Sequence, residues 1–499
     1  RLKKAHLSKE GAAKLPVYGE TYDSGAARKR LPGFKHRISS HSILEPAMSG
    51  NAMRLRQSGR YRAAAMQGPT LCRPQSAAEL KKLLSAKSPY SPPFRPIGTN
   101  SAATDCTSSV GTVVDLTALD RILDVDTLRG IACVQPGVRI GDLVDELAEY
   151  GYELAGGHDL VSRTVGGAVA GGSIGPTFGE DSALLAAQVE SIKIVTPAGR
   201  PIMIRRDQEN LMHAFRLSFG MLGVIYEIRL RIRQIRTFSV AQRSCTFEQF
   251  GGVSEKLAGA DVGLKFFLMP FRDRVYLDIR THSLEATGSH RIPWRMKDWG
   301  ESTVLPNVVK SLNRIVPVSS IRYRLIDQCS RMTQGIVNNR LVNTGSNATA
   351  HGGGKTEEPD ALNYCTWFFP AADFAIVVQA YRDFCIRMQE EHGFRCDLPT
   401  VGFRIVRDRS ALLSPSFDEP MIALRAISTQ SKGWDDFAID FGHFATHWGG
   451  SPLFSQTREV APDYPAQVFG SRLNFFRKIR RHFDPENRMM NPFLSQYFL

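Results

Sequence analysis

The segment Thr164-Val-Gly-Gly-Ala-Val-Ala-Gly-Gly-Ser-Ile-Gly175 narrows the choice of fold more than any other part of this sequence. Four glycines, Gly166, Gly167, Gly171 and Gly172, let a backbone approach a large flat ligand closely. A second small-residue stretch, Arg95-Pro-Ile-Gly98-Thr-Asn-Ser-Ala102-Ala-Thr-Asp105, follows a predicted strand. Successive exposed N–H groups in such a turn form an anion-binding nest, and nothing bulkier than Thr or Asn obstructs a phosphate oxygen. Neither stretch is a G-x-G-x-x-G dinucleotide fingerprint, and no G-x-x-x-x-G-K-[ST] loop occurs, which disfavours nicotinamide-Rossmann and nucleotide-triphosphatase folds.

The chain is 499 residues long, enough for two or three domains, and no apolar run approaches the ~18–20 residues needed to cross a bilayer. The reading is a soluble or membrane-peripheral protein. Eight scattered cysteines without a CxxC pair indicate neither a metal cage nor a dense disulfide framework, so no metal ligands are assigned. The net charge is +14, and residues 1–60 hold 13 Lys+Arg against 4 Asp+Glu. Residues 1–45 read as a basic extended arm able to meet an anionic membrane surface or a larger assembly. Specific nucleic-acid binding is not favoured, because no nucleic-acid motif accompanies the charge. The basic start at Arg1 leads to an expectation of mitochondrial residence.

Ser76 and Glu79 predict a capping box opening a helix. Strands are predicted at 113–116, 122–125 and 131–134, and a helix at 140–150. Val189–Val195 alternates strictly and pairs across a turn with 201–204 as a hairpin, and 222–232 is a further strand. Residues 239–455 read as a second domain carrying an irregular insert at 286–361, and 456–499 as a return to the first.

Six separated segments carry a resemblance: 71–80, 95–101, 134–138, Val165–Gly172, 218–227 and Phe483-Asp-Pro-Glu-Asn-Arg-Met-Met-Asn-Pro492. In this order they resemble the vanillyl-alcohol-oxidase (PCMH-type) family of FAD flavoproteins. Val401–Val406 with Leu413–Ser416, and Phe441–Gly450, are similar to segments of the aldonolactone oxidases and dehydrogenases within it. The resemblance implies an α+β fold: a two-subdomain FAD-binding domain (46–238, completed by 456–499) and an α+β cap domain (239–455) for substrate.

Carried over residue by residue, the resemblance assigns Gly98, Thr99, Asn100, Ser101 and Ala102 to the FAD pyrophosphate. Thr164, Gly166, Gly167, Gly171, Gly172 and Ser173 go to the flavin and ribityl chain and Val224 to the far end of the cofactor, while Asn491 reads first as a helix stop sealed by Pro492 and second as a flavin neighbour. Pro136 falls beside the oxygen-reacting carbon, as in oxidases, and has a second reading as a strand-ending turn. Ser101 stands where many relatives carry a flavin-linking histidine, so FAD is expected to be non-covalent. Arg404 and His447 are the candidate catalytic residues, one for negative charge and one as base, each with a second reading: Arg404 as a strand-face residue in an ion pair, His447 as a core histidine packed by Trp448. Gly402 and Gly450 stand where the family's Glu and Lys belong.

The implied activity is FAD-dependent oxidation of an alcohol group on an aldonolactone or sugar-alcohol-like substrate, with O2 or an electron carrier as acceptor. Two alternatives stay open. One is a flavoprotein-derived assembly subunit with reduced or lost catalysis; the other is a sterol or lipid-alcohol oxidase.

Overall fold

The alternating stretches become strands of sheets that stack into two layered bodies. The structure, a computed structural model, describes residues 69–499 except 157–160, 178, 180, 237, 283–295, 298, 337–340 and 344–361. The basic arm at 1–45 lies outside the described residues.

β1 (Thr70–Cys72), β2 (Phe94–Ile97) and β3 (Thr112–Asp115) form a parallel sheet in the order β1-β3-β2. There follow β4 (Ile122–Asp126), β5 (Ile131–Val134), the short β6 (Tyr152–Glu153), β7 (Val189–Val195), β8 (Pro201–Arg205), β9 (Val224–Arg231) and the short β10 (Arg233–Gln234). Five of these make an antiparallel sheet, β4-β5-β9-β7-β8, while β10 pairs with β6. Ile192 and Ile194 of β7 are fully buried, as the alternation requires of a strand with one face on the core. The helix Ala77–Leu84 opens at Ser76, whose Oγ accepts from the Glu79 N–H at 3.2 Å. The Glu79 carboxylate accepts from Gln75 N rather than Ser76 N, so only half of the predicted capping box forms.

β11 (Phe238–Cys245), β12 (Gly263–Met269), β13 (Arg274–His282), β14 (Leu341–Asn343), β15 (Asn363–Pro370), β16 (Thr400–Ile405), β17 (Met421–Ser428) and β18 (Ser451–Pro452) build one eight-stranded sheet. Its order is β14-β11-β13-β12-β16-β17-β15-β18.

Directly opposed residues share a face of a sheet, and this divides the cap strands. Phe266, Gly402, Leu424 and Trp367 lie on one face. The rings of Phe250 and Phe374 pack on Phe266 at 4.9 and 5.8 Å, and Phe441 and Phe444 on Phe369 at 6.5 and 5.9 Å. This outer face is therefore covered by the helices Phe247–Gly259, Phe374–His392 and Trp434–His447. Val401, Arg425 and Thr366 share the other face, and Tyr364, two residues from Thr366, lies on it too. Tyr364 reaches the first body, donating from its hydroxyl to the Ser101 carbonyl at 2.5 Å.

After β18 the chain returns to the first body. Phe483 packs edge-on against Phe215 at 5.2 Å, and the Asn491 amide donates to the carbonyls of Asp105 and Ser108. The stretch read as an irregular insert contains two helices, Leu305–Ile315 and Ser319–Gly335. Leu305 and Val309 of the first, with Tyr323 and Ile326 of the second, are buried together. Leu305, Val309 and Leu312 recur at i, i+4 and i+7, a helical period that a reading by composition passes over.

Candidate cofactor site

β2 ends at Ile97 and the chain enters Gly98–Ala102 with Asn100 in the left-handed region, φ 55°. None of the five successive N–H groups from Gly98 to Ala102 has an acceptor among the described residues. A concave row of free N–H groups is the device by which backbone binds phosphate oxygens. A Cβ on Gly98 would lie 2.0 Å from Thr164 Oγ1, so this residue must be glycine if the two small-residue segments are to close. Thr164 in turn caps the helix Val165–Gly171, its Oγ1 accepting from Gly167 N at 3.2 Å. A Cβ on Gly166 would come within 2.6 Å of Pro136 Cβ.

These segments wall a cavity that opens to solvent, with about 910 Å³ of non-atom space when the solvent at its mouth is included. Gly98, Thr99, Asn100, Ser101, Ala102, Pro136, Thr164, Gly166, Gly167 and Gly171 line it. Gly172 and Ser173 sit just behind the wall: the Gly172 carbonyl accepts bonds there, and Ser173 Oγ is buried with no partner. Val224 is packed in a separate apolar cluster under β9, while its neighbours Gly223 and Ile225 reach the cavity. Asn491 is outside the wall, capping the last helix by accepting from Leu494 N.

Arg163 is the residue that ties this site together. It is 4% exposed, lines the cavity, and donates to the Gly172 carbonyl at 2.7 Å, the Ser101 carbonyl at 3.1 Å and the Tyr364 hydroxyl at 2.6 Å. One guanidinium therefore joins both glycine segments to the cap, which its planar fork of five donors makes feasible. Behind it, Gln456 donates to the Gly172 carbonyl at 3.1 Å and accepts from Thr366 Oγ1 and Arg425. The Arg425 guanidinium lies 5.4 Å from the Phe403 ring and 5.8 Å from that of Tyr364. Arg95, also on the wall, is bonded to the carbonyls of Cys106, Met489 and Phe219, and burial lowers its pKa to about 10.

The two candidate catalytic residues are placed elsewhere. Arg404 stands opposite Ile422, on the outer face with Gly402, and donates to the carbonyls of Gly179 and Val262. Burial lowers its pKa, with Asp261 opposing. His447 is the exposed last residue of the Trp434–His447 helix, which also covers the outer face. The Gly450 N–H closes that helix end on the Ala445 carbonyl. A Cβ on Gly402 would meet the Phe266 ring at 2.0 Å, so a larger side chain has no room there.

Sequence reasoning missed Arg163, Tyr364, Arg425 and Gln456. A usable signal existed for one of them: Arg425 is the lone charge in the apolar strand Met421-Ile-Ala-Leu-Arg-Ala-Ile.

The residues present fit FAD. The nest can take a diphosphate, the glycines leave room for a flat ring, and Ser173 Oγ and Arg163 Nε are buried polar atoms without partners among the described residues. Fold and site together fit a PCMH-type FAD-binding domain. Residues 69–204 match the FAD binding domain.

Among its relatives, L-galactono-1,4-lactone dehydrogenase, mitochondrial, of Brassica oleracea is 28% identical over 203 residues, 40% of this chain and 34% of that protein. L-gulonolactone oxidase of Mus musculus is 20% identical over 85% of this chain and 94% of its own length. This chain covers only about a third to a half of the first several curated relatives it matches. Cholesterol oxidase from Brevibacterium sterolicum shares the fold, with TM-score 0.68 and 13% identity over 86% of this chain and 94% of that one.

Proposed function

We propose that this chain is an FAD-dependent oxidoreductase that oxidises a CH–OH group of an alcohol or aldonolactone-type substrate, with FAD held non-covalently. The observation that carries the reading is the row of five free N–H groups at Gly98–Ala102, closed over a glycine wall by Arg163. When bound, FAD would supply the hydride acceptor. The chain's own work is to hold the diphosphate on backbone N–H groups, keep the Arg163 cation at the cavity wall and exclude water by closing the cap through Tyr364. Ser101 offers no nucleophilic ring nitrogen to a flavin, which supports the non-covalent mode. The lactone substrate class rests on the named relatives, and mitochondrial residence on the plant one.

A second reading is a flavoprotein that keeps fold and cofactor while its catalysis is reduced or lost. Two observations favour it. The space at Gly402 is filled by Phe266. No His, Asp or Glu is among the described cavity-lining residues, so a carbinol proton meets no ordinary base there.

Anaerobic titration separates the two. Purified protein with flavin absorbance near ~450 nm that bleaches with an aldonolactone or alditol supports the oxidoreductase. A flavin that no member of an alcohol panel reduces supports the second reading. A colourless protein that takes up no added FAD overturns both. After acid precipitation the flavin is expected in the supernatant, and flavin in the pellet would refute the non-covalent mode.

A further inference from the structure

Eight of the seventeen exposed large apolar side chains among the described residues fall within positions 296–336. Four of them, Ile321, Leu325, Met332 and Ile336, recur at the helical spacings i, i+4, i+11 and i+15 along Ser319–Gly335 and its C-cap. They occupy a stripe roughly 60° wide and about 22 Å long. The stripe points away from the helix's own buried face, made by Tyr323, Ile326, Asp327, Ser330 and Gln334. The turn leading into this helix adds Ile315, 73% exposed, and Val318, 50% exposed. Trp299, 58% exposed, precedes the hairpin.

Between Leu305 and Ile336 the exposed charges are all positive. Arg314, Arg324 and Arg331 are exposed, the last two on one flank of the stripe, and Arg322 lies half-buried on the other. The only carboxylate between Leu305 and Ile336 is Asp327, which is 7% exposed and held by Arg272 and Arg395. An apolar stripe with a purely cationic border is the pattern of a helix lying in the interface of an anionic bilayer. A bilayer surface rich in anionic headgroups complements such a border along its whole length. No helix among the described residues is long and apolar enough to cross a membrane, so the contact is peripheral.

We propose that the helical hairpin Leu305–Gly335 docks this protein on an anionic lipid surface, burying the Ile321–Ile336 stripe among the acyl chains with its arginines at the headgroups. The site is separate from the cofactor cavity and does not depend on the activity proposed for it.

Vesicle co-sedimentation of the full chain tests this, with phosphatidylcholine alone and with about one third phosphatidylserine. Wild type is expected to bind the anionic vesicles and to leave neutral ones largely unbound. The double variant Leu325→Glu/Met332→Glu, with the basic arm intact, is expected to lose about tenfold or more of that binding. Arg324→Glu/Arg331→Glu is expected to lose a similar amount and to show a weaker salt dependence. All four side chains are exposed, so unchanged circular dichroism and melting are expected, and a variant that misfolds is replaced by Leu325→Ser/Met332→Ser. Equal binding by wild type and both variants would overturn the proposal by assigning the interaction to other basic surface. No vesicle binding, together with a dimer in solution that Leu325→Glu/Met332→Glu dissociates, would overturn it in favour of a second copy of the chain.

Discussion

Replacing Arg163 with methionine removes three charge-assisted hydrogen bonds, to the carbonyls of Gly172 and Ser101 and the hydroxyl of Tyr364. At about 1.5–3 kcal/mol each, their loss would come to roughly 4.5–9 kcal/mol if nothing compensated. Compensation is visible in the structure. Gly172 keeps the bond from Gln456, Ser101 keeps the one from Tyr364, and the variant no longer buries a guanidinium whose Nε has no partner. The net expectation is a loss of about 3 kcal/mol, near the lower end for breaking a buried charged network. With an unfolding entropy of ~2.1 cal/mol/K per residue, a chain of this size should melt roughly 3 °C lower.

The cofactor should feel the change as well as the fold, because the Ser101 carbonyl belongs to the nest itself. FAD affinity, read by quenching of flavin fluorescence on titration, is expected to fall about tenfold, equivalent to 1.4 kcal/mol. Arg163→Lys keeps the charge but cannot span three acceptors, so it should fall between wild type and Arg163→Met. A methionine variant that melts within about 1 °C of wild type and binds FAD equally well would refute the idea that this guanidinium joins the two glycine segments to the cap.

Gly98→Ala places a methyl 2.0 Å from Thr164 Oγ1, and is expected to weaken FAD binding by at least about tenfold and to cost roughly 1–3 kcal/mol in denaturant melts; wild-type affinity would show that the two loops need not touch. Gly402→Ala drives a Cβ into the Phe266 ring, itself packed between Phe250 and Phe374, with an expected loss of about 2–3 kcal/mol in urea titration. In the double variant Gly402→Ala/Phe266→Leu much of that loss should return. His213, its side chain 12% exposed, has its pKa lowered by burial first and by Arg216 second. Its contribution to stability is fully present above the unfolded value of 6.5 and is lost as pH falls through the lower folded value. His213→Gln should therefore flatten the drop in melting temperature between about pH 6.5 and pH 5, and an unchanged slope would assign that drop to other groups.

The parts of this protein legible in its sequence are those whose cause is local. Ile192 and Ile194 announce a strand by alternation, Ser76 announces a helix start by its hydroxyl, and Gly98 and Gly166 mark backbone that must pass close to something. Backbone conformation within a few residues accounts for each, and the nest at Gly98–Ala102 follows from the same short-range logic.

What tertiary structure decided is which side chains reach the cavity. Arg404 and Arg425 are both arginines on cap strands, yet their registers put them on opposite faces of one sheet. A period of two makes a face easy to read and leaves open which face meets the neighbouring domain, since that depends on which helices cover the other. His447 was displaced for the same reason, because its helix packs with Phe441 and Phe444 against the outer face. Arg163 follows no local pattern at all. Its three partners are 9, 62 and 201 residues away along the chain, and only the folded arrangement of two glycine segments and a cap strand brings them within reach of one guanidinium.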